Sequence, residues 1–313
     1  MNKKLTMMGL GVAVGGMMLV TSVYAGVGEA PGYEALKSAV KQTATVHNVT
    51  RLVDVSVKDN GNSLLQVKST VKQDTGNRSG SAEVAVTSGT ETQKVYLYNQ
   101  DGKQIVKTDD SDVYKVLEAG DKQGKQKHAR EGSGHTPDPQ TIQEVENVVD
   151  ALVGNLKDYV TMNEGAGNVK DIHFKLSGSQ IPAVVNAIGS LAIKHGTSEQ
   201  ASQRPLPAKA DTFGIDLQTI RNSVPHLTGD IKMDAVEVNA TVDADNHITN
   251  QSAEIRISGK DDQGAAHDIV LNVDMALSSL NSTTPDKVDL TGKQVENVKL
   301  DELSHKRWGG KNE

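Results

Sequence analysis

Residues Val49–Gln73 have the sequence VTRLVDVSVKDNGNSLLQVKSTVKQ, which contains the clearest strand pattern of the chain. Aliphatic residues recur at every second position on both sides of Asn60-Gly61, and this period is typical of strands with one apolar face. Asn-Gly is the strongest short hairpin signal, because a type I′ turn needs a positive φ at both central residues. The stretch therefore predicts two paired antiparallel strands, the first of which carries Val49, Val53, Val55 and Val57 on one face.

The same alternation continues along the chain and predicts an antiparallel meander. Shorter strands are expected at 82–87, 93–99, 104–107, 113–117 and 168–176, and three long strands at 231–242, 248–259 and 266–277. Asp101-Gly102 and the acidic segments 243–246 and 261–264 mark turns between them. Two alternatives stay open, because the two runs of strands could form one curved sheet or two separate sheets.

Apolar residues three and four positions apart predict amphipathic helices at 33–43, 142–156 and 181–193. The basic, glycine-containing segment 118–137 and the proline-containing segment 195–210 lack any apolar period and are expected to be mobile loops. Residues 301–313 form a C-terminal tail in this interpretation. The fold class is therefore α+β, with a curved antiparallel sheet packed against a few amphipathic helices in one domain over residues 26–300.

The first 25 residues are predicted to be a signal peptide. Lys3 and Lys4 precede an uncharged apolar run over 5–20, and Val23-Tyr24-Ala25 supplies small residues at the two positions that a signal peptidase reads. A retained membrane anchor is the alternative, but a spanning helix needs about 20 apolar residues and this run is shorter and contains glycines. The mature chain is expected to be extracytoplasmic, either secreted or associated with the cell wall, without a permanent membrane span.

Composition restricts the classes of partner. The 313 residues contain no cysteine, and removal of the leader leaves 31 basic against 40 acidic residues. An acidic surface is a poor match for nucleic acid. Aromatic residues are 3% of the chain, so stacking platforms for sugars or bases are scarce. The basic segment 118–137 could contact an anionic envelope polymer, although a solvated loop is the simpler interpretation.

No catalytic, metal or cofactor site is predicted. Ser69 and Lys72 form a Ser-x-x-Lys match, but residues three apart on a strand point to opposite faces. Ser38 and Lys41 form a second match on a helix face expected to be in solvent. No histidine pair has the spacing of a zinc hydrolase on a helix, and no glycine loop has the pattern that holds phosphate.

The order of elements resembles the LolA-like half-barrels, which include periplasmic lipoprotein carriers and the LppX-type lipid-binding proteins. The hairpin at Tyr98–Lys107 looks like the Asp-Gly hairpin of their meander, and the architectural resemblance spans roughly 32–298. It implies a half-barrel-like sheet with a lipid-sized apolar cavity between sheet and helices. The chain is also similar to secreted proteins of Gram-positive spore-forming bacteria.

These observations favour an exported, non-catalytic binding or carrier module for a lipid, a lipoprotein or another cell-envelope partner. A structural or signalling envelope scaffold with a filled core is the alternative, and an exported hydrolase is a third, less favoured class. The residues expected to line a ligand cavity are the apolar stripe of the helix at 181–193, namely Ile181, Val184, Val185, Ile188 and Leu191.

The leader leads to a direct prediction. Cleavage after Ala25 should give a mature protein that begins at Gly26, which N-terminal sequencing of the secreted protein would show. Recovery of the chain in the membrane fraction with Met1 still present would contradict the signal peptide and favour an anchor.

Overall fold

The computed structural model describes residues 30–118, 156–183, 186–187, 190 and 223–299. Over these residues the chain forms one open sheet of twelve strands with one α-helix whose bounds are defined. The helix and the strands, in chain order, are α1 Pro31–Thr43, β1 Asn48–Asp59, β2 Asn62–Asp74, β3 Ser79–Ser88, β4 Glu91–Gln100, β5 Lys103–Thr108, β6 Val113–Glu118, β7 Val160–Glu164, β8 Lys170–Ser177, β9 Gly229–Val242, β10 Ile248–Lys260, β11 Ala266–Ser278 and β12 Gln294–Lys299.

The predicted hairpins are confirmed, and their turns have the backbone that the sequence requires. Asn60 and Gly61 have φ of 50° and 81°, and Asp101 and Gly102 have φ of 51° and 72°. Two successive positive φ values are the signature of a type I′ turn, whose twist matches that of the strands it joins. Local turn chemistry therefore sets the register of β1 with β2 and of β4 with β5.

The strands form one sheet, not two. Their spatial order is β12-β6-β5-β4-β3-β2-β1-β11-β10-β9-β8-β7, so the run β1–β6 and the run β7–β11 meet where β1 pairs with β11. That antiparallel ladder extends from Thr50 opposite Ser278 to Asp59 opposite Ile269. The sheet is open and curved, as expected for a half-barrel.

Two edge strands were not predicted. β7 is a short strand that pairs with β8, and β12 follows the three long strands that were expected to close the chain. β12 runs parallel to β6, with Gln294 opposite Val113 and Lys299 opposite Glu118. Both strands are short and rich in polar residues, so their sequences carry little strand signal of their own.

The parallel pairing of β12 requires a crossover, and residues 279–293 supply it. This segment, here called the strap, crosses one end of the sheet from β11 to β12. Asn48 donates through Nδ2 to the carbonyl oxygen of Thr283 at 2.8 Å, and Lys72 Nζ lies 2.8 Å from Asp286 Oδ1. Gln100 exchanges two hydrogen bonds with the backbone of Val288, at 2.8 and 2.9 Å. Side chains from β1, β2 and β4 therefore hold the strap across the sheet.

The helical expectations are tested only in part. The helix predicted at 33–43 is confirmed as α1, which begins two residues earlier. Residues 183, 186–187 and 190 are helical, in agreement with the start of the helix predicted from Ile181. The helix predicted at 142–156 lies outside the described residues except for Leu156, and the loop predicted at 118–137 does so except for Glu118, which ends β6. The loop predicted at 195–210 and the tail at 301–313 also lie outside the described residues.

The helix α1 packs on the apolar face of the sheet at its β7 end. Leu36 and Ala39 are buried against Ile172, Ala240 and Val242. The first turn of α1 approaches β7 so closely that a Cβ atom added at Gly32 would lie 2.7 Å from the carbonyl oxygen of Val160. Glycine at this position therefore permits contact between the helix and the edge strand.

The contact at Gly32 gives a stability prediction. Gly32→Ala would place a methyl group against backbone that cannot rotate away, so we expect the free energy of unfolding to fall by about 1–3 kcal/mol. Gly229→Ala is the matched control, since a Cβ atom there meets nothing within 4 Å. Urea denaturation of both variants checks this, and equal stabilities would contradict the close approach of α1 to β7.

Candidate functional site

Register places the aliphatic residues of the central strands on one face of the sheet. Val238 lies opposite Ala253, Ala253 opposite Val273, and Val273 opposite Val55. One row further along, Val236, Ile255 and Leu271 lie opposite one another in the same way. These residues are here called the central apolar patch, which consists of Val55, Val236, Val238, Ala253, Ile255, Leu271 and Val273.

The central apolar patch is partly exposed, although it lies in the middle of the sheet. All seven side chains are half-buried, whereas residues near the ends of strands, such as Val49, Val242 and Ile248, are at most 2% exposed. The buried apolar residues of the described chain form four separate clusters, and none of the seven belongs to any of them. A single filled core would join such clusters into one. The patch is thus an apolar surface between packed regions.

Ile181 lies in one of the packed clusters. It is 6% exposed and contacts the cluster that contains Leu156 and Leu176, with Phe174 and Met233 at its margin. In the described residues Ile181 is therefore a core side chain beside β8. Val184, Val185, Ile188 and Leu191 lie outside the described residues, so the lining role expected for these positions stays a prediction.

The opposite face of the sheet is polar and contains a recess of about 820 Å³. The recess is lined by side chains from seven neighbouring strands, namely β9, β10, β11, β1, β2, β3 and β4. The sheet therefore curves toward this face across these strands. Most lining residues carry a hydroxyl, amide or charged group, and these include Asp54, Gln66, Lys68, Thr70, Glu83, Thr87, Thr92, Lys94, Asn239, Thr241, Asn250, Ser252 and Asp274. Apolar surface is contributed by Leu52, Val53, Ala85, Met275 and Ala276. This recess lies on the face away from α1, so it is distinct from the cavity between sheet and helices that the sequence resemblance implied.

Charges in the recess are largely paired. Lys68 Nζ lies 3.4 Å from Asp54 Oδ2, and Gln66 Nε2 donates to both oxygens of the same carboxylate at 3.0 and 3.2 Å. Lys94 Nζ lies 3.6 Å from Glu83 Oε1. Asp274 stands opposite Asp54 in register, an unfavourable arrangement of like charges that the Lys68 ammonium offsets.

Amide and hydroxyl groups form a network at the β8 side of the recess. His173 Nδ1 and Asn239 Oδ1 are hydrogen-bonded, and Asn239 Nδ2 donates to Ser252 Oγ at 3.2 Å. Thr241 Oγ1 donates to Asp171 Oδ1 at 2.9 Å. These bonds connect β8, β9 and β10 through side chains, and they orient the polar groups that face the recess.

The two Ser-x-x-Lys matches lie on the elements that the sequence predicts for them, β2 and α1. Ser69 and Lys72 lie on β2 three positions apart and so point to opposite faces of the sheet. Ser38 is exposed on α1, where its Oγ accepts a hydrogen bond from Asn246. Among the described residues no group of three or more histidine, aspartate or glutamate side chains is arranged to hold a metal ion.

A titratable cluster that sequence reasoning missed lies at the turn end of β1 and β11. His267 Nδ1 is 2.8 Å from Asp59 Oδ2, and His267 Nε2 is 3.4 Å from Asp261 Oδ2. Nε2 has no aligned hydrogen bond, so its contact with Asp261 is electrostatic. The hydrogen bond with Asp59 raises the pKa of His267, with a further rise from Asp261, while burial opposes both. Asp59 lies 208 positions before His267 in sequence, so no local pattern signals the cluster.

The described part of the chain contains no helix long and apolar enough to cross a membrane.

Comparisons with known proteins give similarities of fold only. No protein-family model matches the chain, and no curated protein matches it. The crystal structure of lipoprotein LppX from Mycobacterium tuberculosis is similar at 13% identity and a TM-score of 0.32, covering 84% of this chain and 100% of that one. A DUF1329 family protein from Desulfovibrio piger is similar at 8% identity and a TM-score of 0.20, covering 83% and 95%.

A β-barrel-like protein of the domain of unknown function DUF1849 from Brucella abortus is similar at 9% identity and a TM-score of 0.17, covering 75% of this chain and 100% of that one. LppX is thus among the similar solved structures, as the sequence resemblance suggested. The comparisons give no link to Gram-positive spore-forming bacteria.

The cluster at His267 gives a pH prediction. The folded-state pKa of His267 is raised above its usual value of 6.5. Its contribution to stability is therefore fully present below about pH 6.5 and is lost as pH rises through the folded-state pKa. We expect His267→Gln to remove this part of the decline in unfolding free energy as pH rises above about 6.5.

Urea denaturation across this pH range measures the effect. His47→Gln is the control, because the His47 side chain is exposed and outside the cluster. A pH dependence of His267→Gln that equals that of the wild type would show that the two carboxylates do not stabilise the imidazolium.

Proposed function

We propose that the chain is an exported, non-catalytic binding or carrier module whose ligand is a lipid, with an acyl chain held against the central apolar patch. The observation that carries this proposal is the partial exposure of aliphatic side chains in the middle of the sheet, between four packed clusters. Burial of apolar surface contributes about 25 cal/mol per Å², so an apolar ligand on this patch would gain a direct driving force.

The dimensions of the patch fit an acyl chain. The patch spans β9, β10, β11 and β1, and strands about 4.8 Å apart give it a width of about 14 Å. The hydrocarbon core of a bilayer is about 30 Å thick, so one leaflet contributes about 15 Å. An acyl chain that crosses these four strands would therefore bury about its full length against the patch.

The chemistry of the patch favours a lipid over a protein partner. Its seven residues are valine, isoleucine, leucine and alanine only. The centres of protein interfaces are enriched in tyrosine, tryptophan and arginine, which act as energetic anchors. A surface without such anchors offers dispersion contacts and apolar burial, which suit a flexible hydrocarbon chain.

A lipoprotein cargo, whose acyl chains would occupy the same patch, belongs to this proposal. The extracytoplasmic location and the contact between the basic segment 118–137 and an anionic envelope polymer are further proposals that rest on the sequence. The second candidate function is a structural or signalling envelope scaffold. It would require that the central apolar patch be covered permanently by the chain itself, so that no ligand enters.

Native mass spectrometry with lipid extraction, on mature protein purified from its own host, separates the two candidates. We expect a stoichiometric lipid to co-purify, which would also identify the cargo. A protein that is empty and takes up no fluorescent fatty acid would contradict the carrier function and favour the scaffold with a filled core.

Paired variants on β11 and β1 locate the site. Val55 and Val273 face each other in the patch, and Val→Thr replaces one methyl group by a hydroxyl without a change of shape. Removal of one buried methyl group costs about 0.8 kcal/mol of binding free energy, which is about a fourfold loss of affinity. The double variant Val55→Thr/Val273→Thr should therefore bind a fluorescent fatty acid at least about tenfold more weakly.

Val270→Thr is the matched control for these variants. Val270 is also half-buried on β11 but has the opposite parity from Val273, so its side chain lies on the polar face. The control is expected to bind the fatty acid with wild-type affinity. If the control and the double variant lose the same affinity for the fatty acid, the lipid does not bind at the central apolar patch, or the loss results from lower stability.

A further inference from the structure

The recess on the polar face lies on the side of the sheet away from the central apolar patch, and the lipid-binding proposal does not use it. We propose that this recess is a second binding site, and that its ligand is a neutral saccharide. Its volume of about 820 Å³ is within the range of about 300–1,000 Å³ that is usual for small-molecule sites. The inference is independent of the lipid proposal, because the two surfaces share no side chain.

The hydrogen-bonding groups of the recess match a polyhydroxylated ligand. Thr70 and Asn250 each carry a donor and an acceptor, and Thr241 Oγ1, whose proton is donated to Asp171, keeps its capacity to accept. Sugar hydroxyl groups also donate and accept at the same oxygen. Such a ligand can therefore form hydrogen bonds with many of the lining side chains and needs no contact with a charged group.

The balance of charge argues for a neutral ligand. Asp54 is neutralised by Lys68, and Glu83 by Lys94, so each lysine is already engaged by a carboxylate. Asp274 adds one further negative charge. An anion such as a phosphate would meet three carboxylates and two engaged lysines, and the repulsion opposes its binding.

An extended peptide is also a poor match for this surface. Peptides that bind a sheet usually add to a free strand edge through backbone hydrogen bonds. The seven strands under the recess are interior strands of the sheet, and their backbone groups pair with each other. The recess offers side chains only, which suits recognition of hydroxyl groups and not of a peptide backbone.

Leu52 supplies the apolar contact that a sugar ring needs. It is 46% exposed, although it lies on β1 in the middle of the sheet and on the polar face. Aromatic side chains are scarce, and a leucine can cover the C–H face of a pyranose in their place. Two residues before Leu52, Thr50 Oγ1 is hydrogen-bonded to Thr283 Oγ1 of the strap.

The test uses the full mature protein with chitotetraose and maltotetraose as neutral probes and saturation-transfer-difference NMR as the measurement. We expect transfer to the protons of at least one probe, with a dissociation constant in the millimolar range or below. Leu52→Ser and Asn250→Ala should each weaken binding at least about tenfold. Both side chains are exposed, so these changes leave folding intact.

Val295→Ser is the matched control, because Val295 is likewise an exposed strand aliphatic at 42% but lies on β12, away from the recess. It should bind as the wild type does. Absence of transfer with both neutral probes, or equal affinity in wild type and Leu52→Ser, would overturn the proposal. Tighter binding of a sulfated tetrasaccharide than of the neutral probes would also overturn it.

The double variant Val55→Thr/Val273→Thr distinguishes this site from the lipid site. It should bind the neutral saccharide normally while its fatty-acid affinity falls. Loss of saccharide binding in this variant, with the urea unfolding transition of the wild type retained, would contradict the placement of the ligand in the recess.

Discussion

The pairing of β1 with β11 is the constraint on which the rest of the structure depends. Each of these strands begins or ends one of the two runs of strands, and their ladder from Thr50–Ser278 to Asp59–Ile269 makes one sheet of them. Without it, neither face would be continuous. The central apolar patch uses side chains from both sides of this junction, and so does the recess on the polar face. Both candidate sites therefore exist only because strands 200 residues apart are hydrogen-bonded.

Alternate residues of the same strands point to opposite faces of the sheet, so one face is apolar and the other is polar. On β11, Leu271 and Val273 contribute to the apolar patch, whereas Asp274 faces the recess. A shift of one residue in the register of β1 on β11 would exchange these faces, which would bury carboxylates and expose valines. The type I′ turn at Asn60-Gly61 and the hydrogen bonds between Asn60 and the start of β11 hold this register in place.

The sequence predicts those features of the fold that nearby residues determine. The hairpins, the long alternating strands and α1 follow from turn residues and from apolar period within short windows, and these predictions are confirmed. The strand β12, in contrast, is stabilised by parallel pairing with β6 and by a strap whose anchors, such as Asn48 and Thr283, lie 235 residues apart. The valines of the apolar patch could be assigned to one face, but the curvature that forms the recess and the contact between Asp59 and His267 arise from non-local pairing.

The distance in sequence between β1 and β11 has a consequence for biogenesis. A chain that is synthesised from its N-terminus completes β1 about 200 residues before β11, a delay of roughly 10–40 s at 5–20 residues per second. During this interval the hairpin-linked strands β1–β6 can form, but the outer edge of β1 has no partner. Unpaired edges recruit other strands, and charged residues are the usual protection. The charged residues Arg51, Asp54 and Lys58 lie along β1. They oppose pairing of its free edge with other chains until β11 has been synthesised.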